Sequence, residues 1–166
     1  MDKGAVNRLT VGIAQIKTAG DTDVLVTLGL GSCVVVAIYD DEAQVGSLAH
    51  IMLPEKACGR RREGENMFKY ADEAIPAAVR SIEAQGGSRP AMKAKIAGGS
   101  CMFDLGRDGR PDIGRRNVEA ARDLLGELKI PLVAEDTGGR RGRSVEFLPA
   151  SGEMLIRTIH GGERRI

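Results

Sequence analysis

Apolar and polar residues form a series of short segments that are typical of β-strands. Residues 9–17 roughly alternate between the two classes and predict a half-buried strand, followed by a turn over 18–23. Residues 34–39 are continuously apolar, as in a strand that is buried on both faces. Further strands are predicted over residues 24–28, 44–53, 92–97, 132–135, 143–148 and 154–159.

Two segments carry the periodicity of amphipathic helices, over residues 66–85 and 113–129. Pro76 falls inside the first segment, so we expect either a kink there or the start of a new first turn. The order is roughly four strands, a helix, a strand, a helix and three strands. No repeat or linker divides the chain. The pattern predicts one α+β domain over residues 1–166, layered as an α/β/β sandwich.

Composition narrows the possible functions. The chain has 166 residues, of which 42% are hydrophobic and 28% charged, as in a globular protein. Its formal net charge is only +1, it has no Trp, and aromatic residues make up 3%. We therefore expect no nucleic-acid partner, because neither a basic surface nor stacking platforms are indicated.

The termini and the cysteines indicate where the protein works. No apolar run is long enough to cross a membrane, and residues 1–10 do not resemble a signal peptide. The three cysteines are scattered, which favours a reducing cytoplasm over a disulfide framework. Cysteines and histidines form no pair with zinc-ligand spacing, so we expect no metal.

The candidate chemistry centres on Cys33, which follows a glycine-rich turn and precedes the apolar run. His50 lies in the next predicted strand, and antiparallel pairing of the two strands would bring thiol and imidazole together. An imidazole activates a thiol by taking its proton or by stabilising the thiolate. The alternative is that Cys33 is a small buried hydrophobic residue and His50 a core histidine. The pair alone leaves both interpretations open.

The turn before Cys33 is the predicted oxyanion site. Gly31 allows close approach of the backbone to a substrate, and N–H groups around Ser32 and Cys33 could hold a developing oxyanion. Ser32 could equally serve the turn alone. Cys101 is predicted to be a packing residue and Cys58 an exposed thiol. The arginine clusters at 60–62 and 140–143 are predicted to be solvated, with a docking role as the alternative.

Seven motifs recur in an order that resembles the CheD family of bacterial chemoreceptor glutamine deamidases, over residues 9–159. They are Leu28-Gly-Leu-Gly-Ser-Cys33, Leu48-Ala-His-Ile-Met-Leu-Pro54, Tyr70-Ala-Asp-Glu-Ala-Ile75, Ala94-Lys-Ile-Ala-Gly-Gly99, Ile113-Gly-Arg-Arg-Asn117, Glu135-Asp-Thr-Gly-Gly139 and Gly142-Arg-Ser-Val-Glu-Phe147. The resemblance implies a fold similar to the catalytic domain of cytotoxic necrotizing factor toxins. It also implies a Cys–His–Thr triad, which falls here on Cys33, His50 and Thr27.

The resemblance further implies a cytoplasmic, cofactor-free protein-glutamine glutaminase. Its substrate would be the helical cytoplasmic domain of chemotaxis receptors, whose glutamines it would convert to glutamates through a Cys thioester, tuning chemotaxis signalling. A CheC-type response-regulator phosphatase is a possible partner. Two other functions stay open: a regulatory binding module for that phosphatase, and a methylesterase acting on receptor glutamate methyl esters.

Overall fold

Two five-stranded β-sheets lie face to face, and two α-helices cover the outer face of one of them. The computed structural model describes residues 6–55, 62–101 and 112–166. In chain order the strands β1 to β10 are Arg8–Thr10, Ile16–Gly20, Val24–Leu30, Val34–Asp40, Val45–Ile51, Lys93–Gly98, Leu132–Thr137, Arg143–Leu148, Glu153–Thr158 and Gly162–Arg165. The helices are α1, Ala71–Ala84, and α2, Ile113–Glu127, and 3-10 turns span Met67–Lys69 and Arg89–Ala91.

The central sheet has the order β2-β5-β4-β6-β7, with β4 in the middle and antiparallel to both neighbours. Val34 and Val36 of β4 belong to the core beneath the helices, whereas Val35 and Ala37 belong to the core between the sheets. Every residue of β4 is buried. The continuous apolar run therefore has the expected cause, because β4 has no solvent face.

The outer sheet has the order β1-β3-β8-β9-β10 and packs against the face of the central sheet opposite the helices. Leu25, Phe147 and Met154 are fully buried in this second core. The layering confirms the α+β class and the predicted α/β/β arrangement. The prediction of a single domain over residues 1–166 stays a prediction.

The segment 9–17 is not one strand, as its alternating pattern suggested. β1 ends at Thr10 and pairs with β3 of the outer sheet, whereas β2 starts at Ile16 and pairs with β5 of the central sheet. Between them the chain turns through Ala14, whose φ is +61°. β2 then continues to Gly20, so the turn is shorter than predicted. The apolar alternation continues across this change of sheet because both cores need buried residues.

The first helix begins at Ala71, later than predicted. Asn66 instead caps a 3-10 turn, and its side chain accepts a hydrogen bond from the N–H of Phe68 at 3.0 Å. Tyr70 is extended and forms a β-bridge with Leu53, which excludes it from the helix. α1 is continuous through Pro76, so no new helix starts there. Residues 162–165, which were not predicted as a strand, form the exposed edge strand β10.

We predict that Gly152→Ala lowers the free energy of unfolding by about 2 to 4 kcal/mol, because it combines left-handed strain with overpacking. Gly152 has a φ of +71°, and a Cβ there would overlap the ring of Tyr39 between the sheets. The matched control is Gly86→Ala, at φ +96° with open space around its Cβ. Its free energy of unfolding should fall only by the cost of the left-handed backbone strain, about 1 to 2 kcal/mol. Chemical denaturation measures both, and equal losses would contradict the packing argument.

Candidate active site

Cys33 and His50 lie on the same face of the central sheet, at the end of neighbouring strands. Val35 of β4 is directly opposite His50 of β5, and Val34 is opposite Ile51. Because side chains alternate between faces, Cys33 shares the face of Val35 and is the diagonal neighbour of His50. This face is turned toward the outer sheet, and Cys33 packs against the core between the sheets. The antiparallel pairing predicted for the two strands is confirmed.

One ring nitrogen of His50 is held and the other is free. Nδ1 lies 3.3 Å from the carbonyl oxygen of Val11, in the segment that joins the two sheets. A carbonyl can only accept, so Nδ1 carries the hydrogen and Nε2 carries the lone pair. Nε2 is buried and has no hydrogen-bond partner in the part of the chain that the structure describes. The imidazole is therefore fixed in the tautomer that a general base requires.

Burial favours the neutral forms of the Cys33 thiol and the His50 imidazole. It raises the pKa of the Cys33 thiol and lowers the pKa of the His50 imidazole, against a smaller opposing effect of the Val11 carbonyl. The resting pair is thus a thiol beside a neutral imidazole, not a thiolate beside an imidazolium. Of the two ways in which an imidazole activates a thiol, the environment favours proton transfer during the attack.

Thr27 reaches the same carbonyl as His50 but makes no hydrogen bond to the imidazole. It is fully buried in β3, and its hydroxyl donates to the Val11 carbonyl at 2.9 Å. The structure therefore brings Thr27 and His50 together on one backbone oxygen, that of Val11, and places Cys33 diagonal to His50 in the strand register. A main-chain carbonyl has no signature in the sequence, so no signal could have identified Val11.

The turn before Cys33 is fixed by hydrogen bonds that its carbonyl groups accept from other parts of the fold. The Gly31 carbonyl accepts hydrogen bonds from both the N–H and the hydroxyl of Ser100, at 2.9 and 2.8 Å. The Ser32 carbonyl accepts from the side-chain amide of Asn117 at 3.0 Å. In a trans peptide the N–H points away from the carbonyl of the preceding residue. The N–H groups of Ser32 and Cys33 are thereby directed away from Ser100 and Asn117, and they have no acceptor among the described residues.

Comparison with known proteins places this chain in a family. The model of the family described as CheD chemotactic sensory transduction matches residues 52–158. The chemoreceptor glutamine deamidase CheD of Halalkalibacterium halodurans is 45% identical over 94% of this chain and 96% of its own length. The chain belongs to the CheD family. The probable chemoreceptor glutamine deamidase CheD of Clostridium novyi is 41% identical over 96% of this chain and 98% of its own length. That of Clostridium acetobutylicum is 40% identical, over 97% of this chain and 96% of its own.

The family-model match begins after Thr27, Cys33 and His50, so it does not bear on the site itself. The alignments with the full-length CheD relatives extend over nearly the whole chain and therefore cover this region. Among solved structures, a Neisseria meningitidis protein of family-model DUF152 aligns with a TM-score of 0.46 at 10% identity, over 81% of this chain and 64% of that chain. That likeness is too weak to bear on function.

Arg143 is not the solvated residue that its cluster predicted. It is buried, and its guanidinium donates to the carbonyls of Gly98 at 3.0 Å and Gly138 at 2.7 Å. Its Nε lies 2.8 Å from a carboxylate oxygen of Asp136, which compensates the buried charge. A Cβ on Gly98 would overlap the carbonyl of Cys33, so the turn to which Arg143 donates lies against the backbone of Cys33. The prediction failed because the arginine cluster gives no sign that Arg143 reaches back across its own turn to Gly138 and across the fold to Gly98.

The remaining predicted residues stand apart from the site. Arg140 and Arg141 are exposed, as is Arg62, while residues 60 and 61 and Cys58 lie outside the described residues. Cys101 is half-buried, and its N–H donates to the Gly139 carbonyl at 2.9 Å. Across the described ranges, no three His, Cys, Asp or Glu side chains are grouped so that they could hold a metal ion. No helix in these ranges is long and apolar enough to cross a membrane.

We predict that stability depends on the titration of His50. The pKa of this imidazole is lowered in the folded state, whereas in the unfolded chain it is about 6.5. Its neutral form therefore contributes stability above pH of about 6.5, and that contribution is lost as the pH falls below it. His50→Asn, whose amide can still donate to the Val11 carbonyl, lacks this titration.

The free energy of unfolding, measured from pH 7.5 to 5.5, should fall more steeply for the wild type than for His50→Asn, by up to about 1.4 kcal/mol per pH unit. His160→Asn is the matched control, because it removes the other histidine from an exposed position. Parallel pH profiles for the wild type and His50→Asn would contradict a buried neutral imidazole.

Proposed function

We propose that this protein is a protein-glutamine glutaminase that converts glutamines of chemotaxis receptors to glutamates through a thioester on Cys33. The observation that carries the proposal is the free, buried Nε2 of His50 on the face of the sheet that also bears the thiol. The names of the full-length relatives support the substrate, because they are described as chemoreceptor glutamine deamidases.

The first half-reaction forms the thioester. His50 Nε2 takes the proton from the Cys33 thiol while the sulfur attacks the carboxamide carbon of the glutamine. The carbonyl oxygen becomes an oxyanion and accepts hydrogen bonds from the N–H groups of Ser32 and Cys33, an interaction worth a few kcal/mol per donor in other enzymes. The imidazolium then gives its proton to the amide nitrogen. The C–N bond breaks, ammonia leaves, and the S–C bond remains.

The second half-reaction consumes water. His50 Nε2 takes a proton from a water molecule, and the oxygen attacks the thioester carbon through a second oxyanion at the same N–H groups. The C–S bond breaks, the proton returns to the sulfur, and glutamate is released. No cofactor is needed, because the imidazole carries every proton that the two steps exchange.

The Val11 carbonyl has the role that a carboxylate has in other nucleophile–base pairs. It holds the Nδ1–H of His50 and stabilises the imidazolium while the proton is on Nε2. Thr27 acts through this carbonyl as a positioning residue, since its hydroxyl fixes the oxygen from the side of the outer sheet. The assignment of Thr27 to the site is thereby kept, with an indirect role.

The surroundings of the site fit a helical protein substrate. Leu28, next to Thr27 in the chain, has 66% of its surface exposed, and Met52, the residue after β5, has 43%. Exposed large apolar side chains can pack against the apolar side of a receptor helix. Because the modified part of a receptor lies in the cytoplasm, we propose that this protein acts there too. A CheC-type phosphatase stays a predicted partner.

We predict that Cys33→Ala abolishes deamidation while the protein stays folded. The purified variant is incubated with the cytoplasmic fragment of a chemoreceptor, and glutamine-to-glutamate conversion is measured by mass spectrometry of its peptides together with ammonia release. The wild type should convert specific glutamines, and Cys33→Ala should convert none. Cys101→Ser is the matched control and should stay active, because no histidine lies near Cys101 in the sequence and this residue is predicted to be a packing residue.

Each other result of this experiment favours a different function. Methanol release from a methylated receptor, without ammonia release from the amidated one, would favour the methylesterase. Wild-type protein that binds a CheC-type phosphatase but modifies no receptor would favour the regulatory module. Substantial ammonia release by Cys33→Ala would remove Cys33 as the nucleophile.

We predict that Thr27→Val lowers deamidation by about tenfold or less, since it disturbs the position of a carbonyl but leaves the imidazole and thiol in place. His50→Ala removes the base itself and should lower the rate by at least about a hundredfold. Val has nearly the shape of Thr, so the loss of stability should be that of one buried hydrogen bond, about 1 kcal/mol. A loss of activity as large as that of His50→Ala would show that Thr27 takes part in the chemistry directly.

A further inference from the structure

Asn117 of α2 joins the ends of the two strands that carry the nucleophile and the base. Its side-chain amide donates to the Ser32 carbonyl at 3.0 Å and to the Met52 carbonyl at 3.0 Å. Ser32 precedes the nucleophile Cys33, and Met52 directly follows β5, which contains His50. One side chain from the helix layer therefore ties together the backbone on both sides of the site.

The orientation of this amide is determined by its neighbours. Both hydrogen-bond partners are carbonyl oxygens, which can only accept, so the NH₂ group of Asn117 faces them. Its Oδ1 is then left buried with no partner in the ranges that the structure describes. An unpaired buried acceptor is unfavourable. The two hydrogen bonds that Asn117 donates are therefore accompanied by an unpaired acceptor at a fully buried position.

The bond to Ser32 sets the direction of the next N–H group. Because the peptide between Ser32 and Cys33 is planar and trans, a carbonyl that points to Asn117 makes the Cys33 N–H point the opposite way. We propose that Asn117 is a positioning residue that holds the Cys33 N–H in the direction required to bind the oxyanion. This inference rests on the proposed function, since it assigns a residue to its oxyanion-stabilising step.

Close packing fixes α2 against the turn that it holds. A Cβ on Gly114, in the first turn of α2, would lie 2.6 Å from the carbonyl oxygen of Gly99, and a Cβ on Gly99 would lie 2.8 Å from that of Gly114. Asp112 caps the helix by accepting from the Gly114 N–H at 2.9 Å. The N–H of Gly99 in turn donates to the Cys33 carbonyl at 2.8 Å. The helix start and the nucleophile turn thus form one rigid unit, from which Asn117 can act.

Two reactions of the same thiol test the proposal. Acylation of Cys33 by p-nitrophenyl acetate passes through an oxyanion: the S–C bond forms, the thiol proton goes to His50, and p-nitrophenolate leaves. Alkylation by iodoacetamide displaces iodide from a saturated carbon and forms no oxyanion. Asn117→Leu keeps the number of side-chain heavy atoms and their branching, carries no charge and donates no hydrogen bond. In the full chain it should slow acylation about 10- to 100-fold, somewhat less than loss of an oxyanion donor itself. Alkylation should stay within about threefold of the wild type.

Two further variants make the result decisive. Leu125→Val loosens α2 at a buried position outside its first turns and should leave both rates near those of the wild type. Asn117→Ser keeps one hydrogen-bond donor and adds no bulk. It therefore serves as the test if Asn117→Leu does not fold. Its acylation rate should fall by less than that of Asn117→Leu.

The outcomes separate this inference from the proposed function. If Asn117→Leu and Asn117→Ser keep wild-type acylation, or lose acylation and alkylation in equal proportion, Asn117 does not position the oxyanion donor. If the wild type itself is not acylated at Cys33, the proposed thioester chemistry fails first, whatever the Asn117 variants do.

Discussion

The antiparallel register between β4 and β5 is the constraint on which the rest of the site depends. It places His50 opposite Val35, and hence diagonal to Cys33 and on the same face of the sheet. A slip of one residue would turn the imidazole toward the helices and leave the thiol without a base. The register is fixed because β4 is buried on both faces, so each of its side chains has to fit one of two separate cores.

The site lies where the two sheets meet, and a single carbonyl connects them. Val11 is in the short segment that leaves the outer sheet after β1 and enters the central sheet at β2. Its oxygen accepts from Thr27 of the outer sheet and lies near Nδ1 of His50 in the central sheet. The imidazole is therefore oriented only when both sheets are assembled, which makes the active arrangement a property of the complete sandwich.

Burial of Cys33 and His50 sets the protonation states from which the proposed reaction starts. A thiol with a raised pKa and an imidazole with a lowered pKa are both neutral near pH 7, so the site stores no ion pair that would have to be solvated. In the proposed reaction, charge develops only when a carbonyl is attacked, and the N–H groups of Ser32 and Cys33 would be preorganised to meet it. Such preorganisation is the largest contribution to catalysis in many enzymes.

The sequence by itself determined the α+β layering, both helices, the doubly buried strand β4 and the antiparallel pairing of the segments that carry Cys33 and His50. These features depend on local periodicity and on residue types whose chemistry is distinctive. Only the tertiary structure decided that 9–17 crosses between sheets, that Arg143 is buried against Asp136, and that the Val11 carbonyl orients the imidazole. The physical reason is that the pairings of β1 with β3 and of β2 with β5 and the Val11–His50 contact join residues far apart in the chain, whereas Arg143 meets Asp136 because the chain turns between β7 and β8. The Val11 and Gly98 carbonyls are backbone groups that every residue possesses, so no residue type marks them.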